Sequence, residues 1–445
     1  MRGGMLPQRA VFAAVLLLSF SNPAALAADS GDDSESWAVH GQVTHLWQYH
    51  PGFRSPYRGA NSLDPGSRGN ETFDATLYVG ARLWTGLEIW IDPEIDQGFG
   101  LSNTFGVAGF PSGEAYKFGK SKLYFRLQRL FFRQTIALGG EAEHVAPDVN
   151  QLGGMRTGSN LVVTAGKISV TDIFDTNSYA HDPKQDFFNW AVIDSGAFDY
   201  AADAWAYSYG IAMEWTQGWW TIRAGLFDLS RVPNTTELET DFSQFELVGE
   251  AEERHMFFGR PGKIRLLGYF NRGRMGSYTD AVGFARVTGS IPDTASVRRY
   301  SSRPGAALNL EQQIVDDLGV FARASINDGS KEAYEFTEIN RSLSVGLSWK
   351  GSPWGRPQDV FGLAAVTNGL SNAARTYFAA GGLGILIGDG RLLHYGSENI
   401  IETYYNVNIA EGFVLAADYQ LITHPAYNRD RGPVSVLGMR AHVQY

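Results

Sequence analysis

The chain has 445 residues, of which 44% are hydrophobic and 19% are charged, and it contains no cysteine. The absence of cysteine excludes disulfide bonds, thiol catalysis and cysteine-bound metals. A net charge of −10 argues against a nucleic-acid-binding protein, because such proteins present a basic face.

The first 27 residues have the pattern of a secretory signal peptide. Arg2 and Arg9 precede the apolar run "VFAAVLLLSF", and Ala25 and Ala27 form a small-residue cleavage site. The alternative, a single anchor helix, would need about 20 apolar residues, and this run is too short. The sequence therefore predicts a signal peptide at 1–27 and an exported protein. A short, flexible acidic segment follows at 28–36.

From Trp37 onward the chain repeats segments of about ten residues whose polarity alternates, with turn residues between them. In "WAVHGQVTHLWQY", every second residue from Trp37 to Tyr49 belongs to a less polar face with aromatic residues at both ends. No later apolar run is long enough for a transmembrane helix, so any membrane crossing would use strands. Further segments with this alternation occur at 73–83, 86–95, 122–130, 220–227, 244–254 and 399–409.

The second face of these segments distinguishes a membrane barrel from a soluble sandwich. Both architectures have one apolar face per strand, but here the opposite face carries Arg and Glu in mid-strand, and no dense core is evident. We therefore predict an all-β fold, a transmembrane antiparallel β-barrel over residues 37–445. About 16 strands fit this length. Long extracellular loops are expected at 96–120, 181–204 and 273–300, with one or more folding into the pore.

Catalytic and metal-binding patterns are absent from the sequence. There is no nucleophile elbow, zinc-protease motif or dinucleotide-binding glycine pattern, and His144 and His424 have no partner at metal-ligand spacing. Glu88 and Asp92 share a strand face, as a glycosidase pair would, but charged pairs on the wet face of a strand are the usual case in a pore. We expect no enzyme activity, no cofactor and no metal.

Two stretches carry more specific motifs. Residues 161–210 contain "GK" followed by "DTNSYAHDPKQDFFNW", and residues 402–445 contain "ETYYN" followed by "DYQLITHPAYNRDRGP". Together with "YSSRPGAALNLEQQI" at 300–314, they resemble the OprB-type carbohydrate-selective porins of Gram-negative outer membranes. The resemblance covers the mature chain in the same order. One position departs from the family pattern, because Ala417 precedes Asp418 where proline is common, which bears little on the fold.

The resemblance implies a 16-stranded barrel through which monosaccharides such as glucose, with small oligosaccharides as a further option, diffuse passively. Such a pore needs polar groups that replace the water of the sugar and aromatic surfaces on which it stacks, each binding weakly. Trp190 is the leading aromatic candidate, because it lies in a loop rather than in a membrane girdle at a strand end. The residues expected to line the pore are Glu88, Trp90, Arg126, Arg223, Glu246, Arg265, Arg303, Glu402, Tyr404 and Asn406 on the wall and Asp175, Asn177, Asn189 and Trp190 in a constricting loop.

Several alternatives stay open at this point. The charged residues can also be read as solvated wall charges that set ion selectivity. A general or anion-selective porin would have the same fold, and a secreted β-sandwich carbohydrate-binding module is a candidate from another class. A homotrimer and a monomer are equally compatible with an apolar belt.

The last strand, "SVLGMRAHVQY", is expected to close the barrel by pairing with residues 37–49. Its final residue, Tyr445, would lie at the interfacial girdle. It resembles the terminal aromatic signal read by the barrel assembly machinery, which we therefore expect as a partner.

Overall fold

The computed structural model of the protein describes residues 34–116 and 118–445. The predicted signal peptide at 1–27 and most of the acidic segment at 28–36 lie outside this range. Strands dominate the described residues, and the first begins at Trp37. No helix in this part of the chain is long and apolar enough to span a membrane.

The described residues form sixteen strands in a single sheet. In chain order they are β1 (Trp37–His50), β2 (Arg68–Trp84), β3 (Leu87–Gly98), β4 (Tyr124–Val145), β5 (Gly154–Ile168), β6 (Ser208–Gln217), β7 (Trp220–Asp228), β8 (Phe245–Phe257), β9 (Arg260–Met275), β10 (Arg299–Val315), β11 (Leu318–Asn327), β12 (Arg341–Gly351), β13 (Arg356–Gly369), β14 (Glu398–Ala410), β15 (Phe413–Thr423) and β16 (Val434–Gln444). Three short α-helices lie in the connections: α1 (Trp190–Ile193), α2 (Tyr278–Thr288) and α3 (Asn372–Ala379).

The sheet closes into a barrel. Each strand pairs antiparallel with the next, and β1 pairs with β16 in a register that runs from Gln42 opposite Gln444 to Tyr49 opposite Leu437. The predicted barrel, its strand number and its closing pair are thereby confirmed. The sandwich alternative is wrong, because a closed sheet has no second sheet against which it could pack.

The alternation predicted from the sequence is the inside–outside alternation of the barrel wall. On β1, Trp37 and Val39 are exposed on the outer face, whereas Gln42, Thr44 and Gln48 are buried inside. Large apolar residues of other strands, such as Leu77, Ile211 and Leu343, are likewise exposed on the outer face, where lipid replaces a protein core. The charged residues that the sequence places in mid-strand therefore point into the barrel.

The two ends of the barrel differ in the length of their connections. Most connections at one end are tight turns, which in barrels of this kind face the periplasm, and those at the other end are long extracellular loops. The three predicted long loops all lie at this second end. We name the loops L1 (51–67), L2 (99–123), L3 (169–207), L4 (229–244), L5 (276–298), L6 (328–340), L7 (370–397) and L8 (424–433).

Loop L3 folds into the barrel and, with its neighbouring loops, supplies a core that the strand pattern did not indicate. Phe174, Phe187 and Phe198 of L3 are fully buried and belong to one apolar cluster with residues of the inner wall. Buried loops of this kind are uncommon, because their backbone polar groups need partners. The barrel wall provides those partners.

Candidate functional site

Charged side chains of the wall hold L3 in place through its backbone. On β14, the buried carboxylate of Glu402 accepts the backbone N–H groups of Phe188 (2.5 Å) and Asn189 (3.2 Å). On β11, Arg323 donates to the carbonyl oxygens of Ala180 (2.7 Å) and Val192 (2.8 Å). Because these hydrogen bonds involve charged groups, each is stronger than one between neutral groups. L3 is therefore a fixed part of the barrel interior.

A second set of contacts joins L3 to the loop L6. Asp199 of L3 pairs with the buried guanidinium of Arg303 on β10 at 2.5 Å. The same carboxylate accepts the backbone N–H groups of Tyr334 (2.6 Å) and Glu335 (3.0 Å) in L6. One buried carboxylate thus connects a strand and two loops at the extracellular side.

The structure places all ten predicted wall residues on the inner face of the barrel, but most of them contact packed loops. Trp90, Glu246, Arg303 and Glu402 are fully buried, and Arg265 is paired with carboxylates of the wall. Of the loop residues, Asp175, Asn177 and Asn189 bond to the wall or to L3 itself. Four of the predicted residues border open space inside the barrel: Trp190, Arg223, Tyr404 and Asn406.

Trp190 is not placed as a stacking platform. Its indole lies between two aromatic rings, Phe110 of L2 at a centroid distance of 5.2 Å and Phe336 of L6 at 5.4 Å, both nearly parallel to it. Both faces of the indole are therefore covered by protein. Only its edge reaches the cavity, so a solute there would meet the edge of the indole rather than one of its faces.

One open space inside the barrel is a cavity of about 1120 Å³ between L3 and the wall of β1–β8. Its lining carries acidic and basic side chains on all sides, and aromatic rings lie among them. The basic lining residues are Arg129, Arg133, Arg156, Lys184, Arg223 and Arg254, and the aromatic ones are Tyr78, Tyr116, Phe131, Trp190, Tyr200, Trp205 and Tyr207.

Most of the basic side chains in this cavity are paired with carboxylates. Arg129 makes two hydrogen bonds of 2.7 and 2.6 Å to Asp172 of L3. Arg223 contacts three carboxylates, those of Glu214 (2.9 Å), Glu250 (2.7 Å) and Glu252 (3.1 Å). The wall therefore offers many hydrogen-bonding groups while its charges largely cancel.

Strand alternation alone does not identify Arg129, Phe131 and Arg133 as residues that line the cavity. Strict alternation along β4 places Gln128 inside and Arg129 outside, but the ladder with β3 shifts at Pro93, and both side chains point inward. After this bulge the inner face consists of the odd-numbered residues. Pro93 was the available signal, because proline within a strand marks a bulge or an edge.

Lys184 of L3 is a further cavity residue that the strand pattern does not indicate. Its ammonium contacts Asp74 on β2 at 2.5 Å and Glu114 in L2 at 2.7 Å. Burial opposes the charge, but these carboxylates raise the pKa of Lys184 well above its usual value. The side chain therefore stays protonated and ties L2, L3 and the wall together.

The pKa values of two acidic groups of L3 are also raised, and for these groups the shift favours the uncharged form. Burial, followed by the charge of Asp175, raises the pKa of Asp194 to about 7. Burial and the neighbouring Asp182 raise the pKa of Asp186 to about 6. These two carboxyl groups consequently gain and lose protons near neutral pH, whereas an exposed aspartate does so near pH 4.

A second cavity of about 740 Å³ lies towards the end with the tight turns. It is bordered by Tyr404 and Asn406 of the wall and by polar residues near the turns. Asp148, Lys184 and Gln185 border both cavities, so the two spaces adjoin there. Among residues 34–116 and 118–445, no group of three or more His, Cys, Asp or Glu side chains is placed to hold a metal ion.

The chain matches the family model described as "Carbohydrate-selective porin, OprB family" over residues 60–445. Porin AaxA of Chlamydia muridarum is 23% identical over 334 residues, which cover 70% of this chain and 61% of the relative. Porin AaxA of Chlamydia pneumoniae is 28% identical over 157 residues, which cover 33% of this chain and 32% of the relative. The chain thus matches less than two thirds of the length of these curated relatives.

Among solved structures, OprB of Pseudomonas putida has the same fold. The two chains superpose with a TM-score of 0.69 at 16% sequence identity, and the match covers 92% of this chain and 94% of the other. At this identity the likeness shows the fold.

Proposed function

Because the chain belongs to the OprB family of carbohydrate-selective porins, we propose that it lets carbohydrates diffuse passively through its barrel. The family and the fold are those of channel proteins, and they place the chain in the outer membrane of a Gram-negative bacterium. The proposed substrates are monosaccharides such as glucose, with small oligosaccharides as a further option.

The observation that carries this proposal is the composition of the larger cavity. A sugar has hydroxyl groups around its ring, and each must exchange water for a protein partner as it enters the pore. Hydrogen bonds to charged groups contribute about 1.5–3 kcal/mol each, so a few are enough for weak, reversible binding. Arginine–carboxylate pairs such as Arg129 with Asp172 supply such groups. Because the two charges of each pair cancel, they create no large electrostatic potential that would attract or repel ions.

A general or anion-selective porin of the same fold is the second candidate. It would be favoured by a column of unpaired basic side chains along the pore. In the larger cavity, the basic groups of Arg129, Lys184 and Arg223 each lie within 3.1 Å of a carboxylate. This pairing favours the passage of neutral solutes over anions.

The experiment that tests the proposal is single-channel recording of the purified protein in planar bilayers. We expect glucose to reduce the ion current in a concentration-dependent way, because a sugar held in the cavity blocks the path of ions. If glucose and disaccharides leave the current unchanged while the channel selects strongly between ions, the sugar assignment is wrong and the general porin replaces it.

We further propose that the barrel assembly machinery acts on the strand β16. This strand and β1 form the closing pair, and the N–H and carbonyl groups of Tyr445 pair with Gly41 at 3.0 and 3.1 Å. The exposed apolar outer face fits contact with lipid, and it fits both a monomer and a homotrimer. Migration of the unheated protein on a gel, compared with a covalently cross-linked sample, distinguishes these two states.

A further inference from the structure

The connection between β4 and β5 is the exception among the turns at the periplasmic end. β4 has 22 residues and β5 has 15, and the connection between them, residues 146–153, is longer than the tight turns around it. Residues 136–144 are exposed on both faces of the strand, so this part of β4 has left the barrel wall. We name the hairpin of residues 136–158 the flap.

The flap bends where it leaves the wall. Gly139 and Gly140 both have positive φ angles, +107° and +90°, which favour glycine. The pairing with β5 shifts register twice at this place, between Ala137 and Gly139 and between Gly139 and Ala142. Bulges of this type bend a strand. The bend turns the flap away from the axis of its own strands.

The tip of the flap returns into the barrel. If the hairpin were straight, the twelve residue steps from Arg133 to Val145 would carry its tip about 40 Å away from Arg133. Instead, Arg133 donates a hydrogen bond to the carbonyl oxygen of Asn150 at 2.6 Å. The side chain of Asn150 donates to Asp92 on the inner face of β3 at 2.9 Å. The flap therefore folds back across the periplasmic mouth.

Further contacts fix the far edge of the flap. The backbone N–H of Glu35 donates to the carbonyl oxygen of Gly153 at 3.0 Å, and the N–H of Gly153 donates to the Glu35 carboxylate at 2.7 Å. Arg82 near the end of β2 also reaches the Gly153 carbonyl, at 3.3 Å. Leu152 beside it is buried in the apolar core. These contacts, together with those of Arg133 and Asn150, anchor the flap to the neighbouring strands β2–β4 and to Glu35 just before β1.

The flap contributes polar side chains to both cavities. Glu143 and Arg156 border the larger cavity, and Asp148 at the tip borders the larger and the smaller cavity. Asp148 is exposed to the open space and lies at the place where Lys184 and Gln185 of L3 also border both cavities. Two elements from opposite ends of the barrel therefore meet in its interior.

We infer that the flap is a second constriction at the periplasmic end of the pore, and that Glu143 and Asp148 help to determine which solutes leave the barrel on that side. L3 narrows the pore from the extracellular side, and the flap narrows it a second time at the periplasmic end. The inference that these residues select among sugars rests on the proposed function. The narrowing itself concerns any solute, including ions.

Single cysteines test the inference cleanly, because the natural chain has no other thiol. In the channel with Asp148→Cys, and separately with Glu143→Cys, a bulky methanethiosulfonate reagent added from the periplasmic side should lower the single-channel conductance severalfold. Glu141→Cys is the matched control, since this exposed carboxylate lies on the same flap and borders neither cavity. Its modification should leave the conductance unchanged. The conductance recorded before modification shows that each variant forms an intact channel.

If both modified variants conduct as the control does, the flap is not a constriction. The recordings are made in salt without sugar, so they decide this point even if glucose never blocks the channel and the proposed function is wrong. Uptake of glucose into liposomes by the same modified variants then tests the selective role. Uptake equal to that of the control would overturn that role.

Discussion

The carboxylate of Glu402 on β14 accepts the backbone N–H of Phe188 in L3 at 2.5 Å. This contact joins a residue of the barrel wall to a loop that enters from the extracellular end. L3 reaches the interior only because wall residues such as Glu402 replace the water that its backbone would otherwise bind. The width of the pore therefore depends on these contacts.

Replacing Glu402 by alanine should loosen L3. The substitution leaves buried backbone N–H groups without an acceptor, which costs about 1–3 kcal/mol. We expect a higher single-channel conductance and weaker block by glucose. Glu411→Ala, which removes an exposed carboxylate at the tight turn after β14, is the control. Equal conductance in the two variants would show that Glu402 does not hold the loop.

Replacing Trp190 should affect stability more than sugar binding, because both faces of its indole are covered by protein. Trp190→Phe keeps a ring between Phe110 and Phe336 and should leave the block by glucose nearly unchanged. Trp190→Ala removes a buried aromatic side chain, which typically costs about 3–5 kcal/mol. Samples are heated to increasing temperatures before electrophoresis, and the temperature at which the fast-migrating folded band disappears measures this loss of stability. A strong loss of glucose block in Trp190→Phe would contradict this assignment.

Removing the charge of Arg223 should change the ion preference of the channel. Arg223→Gln leaves the carboxylates of Glu214, Glu250 and Glu252 without their common partner, so the larger cavity becomes more negative. We expect the reversal potential in a salt gradient to shift towards cation selectivity. Lys122→Gln removes an exposed positive charge that borders neither cavity and should not produce this shift. An equal shift in both variants would assign the effect to net charge alone.

The packing of L3 should weaken as the pH rises through about 7. Burial raises the pKa of Asp194 to about 7 in the folded protein, whereas an unfolded chain loses this proton near pH 4. Between these values the folded state binds more protons, so its stability falls as pH increases and the loss is complete above about pH 7. Asp186 acts in the same direction near pH 6.

Asp194→Asn removes one titrating group and should reduce this pH dependence. The comparison is the thermal unfolding temperature of the wild type and the variant, measured on the acidic and the basic side of neutral pH. The same difference between the two pH values in both proteins would show that Asp194 does not contribute.

Deletion of Tyr445 should reduce the amount of folded barrel before it affects solute passage. The ring of Tyr445 covers the outer side of Gly41, and the backbones of the two residues form hydrogen bonds where β16 pairs with β1. We expect less heat-modifiable barrel in the outer membrane, while the channels that do form conduct normally. Tyr445→Phe keeps the ring and should assemble as the wild type does. Normal barrel levels after the deletion would argue against a role of this residue in assembly.

The architecture of this protein follows from the pattern of its amino-acid sequence. The period-two alternation from Trp37 to Tyr49 and in the later segments specifies which side chains face lipid and which face inward, because consecutive side chains of a strand point to opposite sides. The same pattern predicted that the last strand pairs with the first. The motifs at 161–210 and 402–445 indicated the family.

Which inward residues reach open space depends instead on how the loops pack inside the barrel. Alternation places Glu402 and Arg223 on the same inner face, yet L3 covers the first and leaves the second at the cavity. The bulge at Pro93 turned Arg129 inward, and the two glycines at 139–140 folded the flap across the mouth. These outcomes depend on contacts between segments far apart in the chain, such as Asn150 with Asp92. The alternation of polarity within one strand does not predict such contacts.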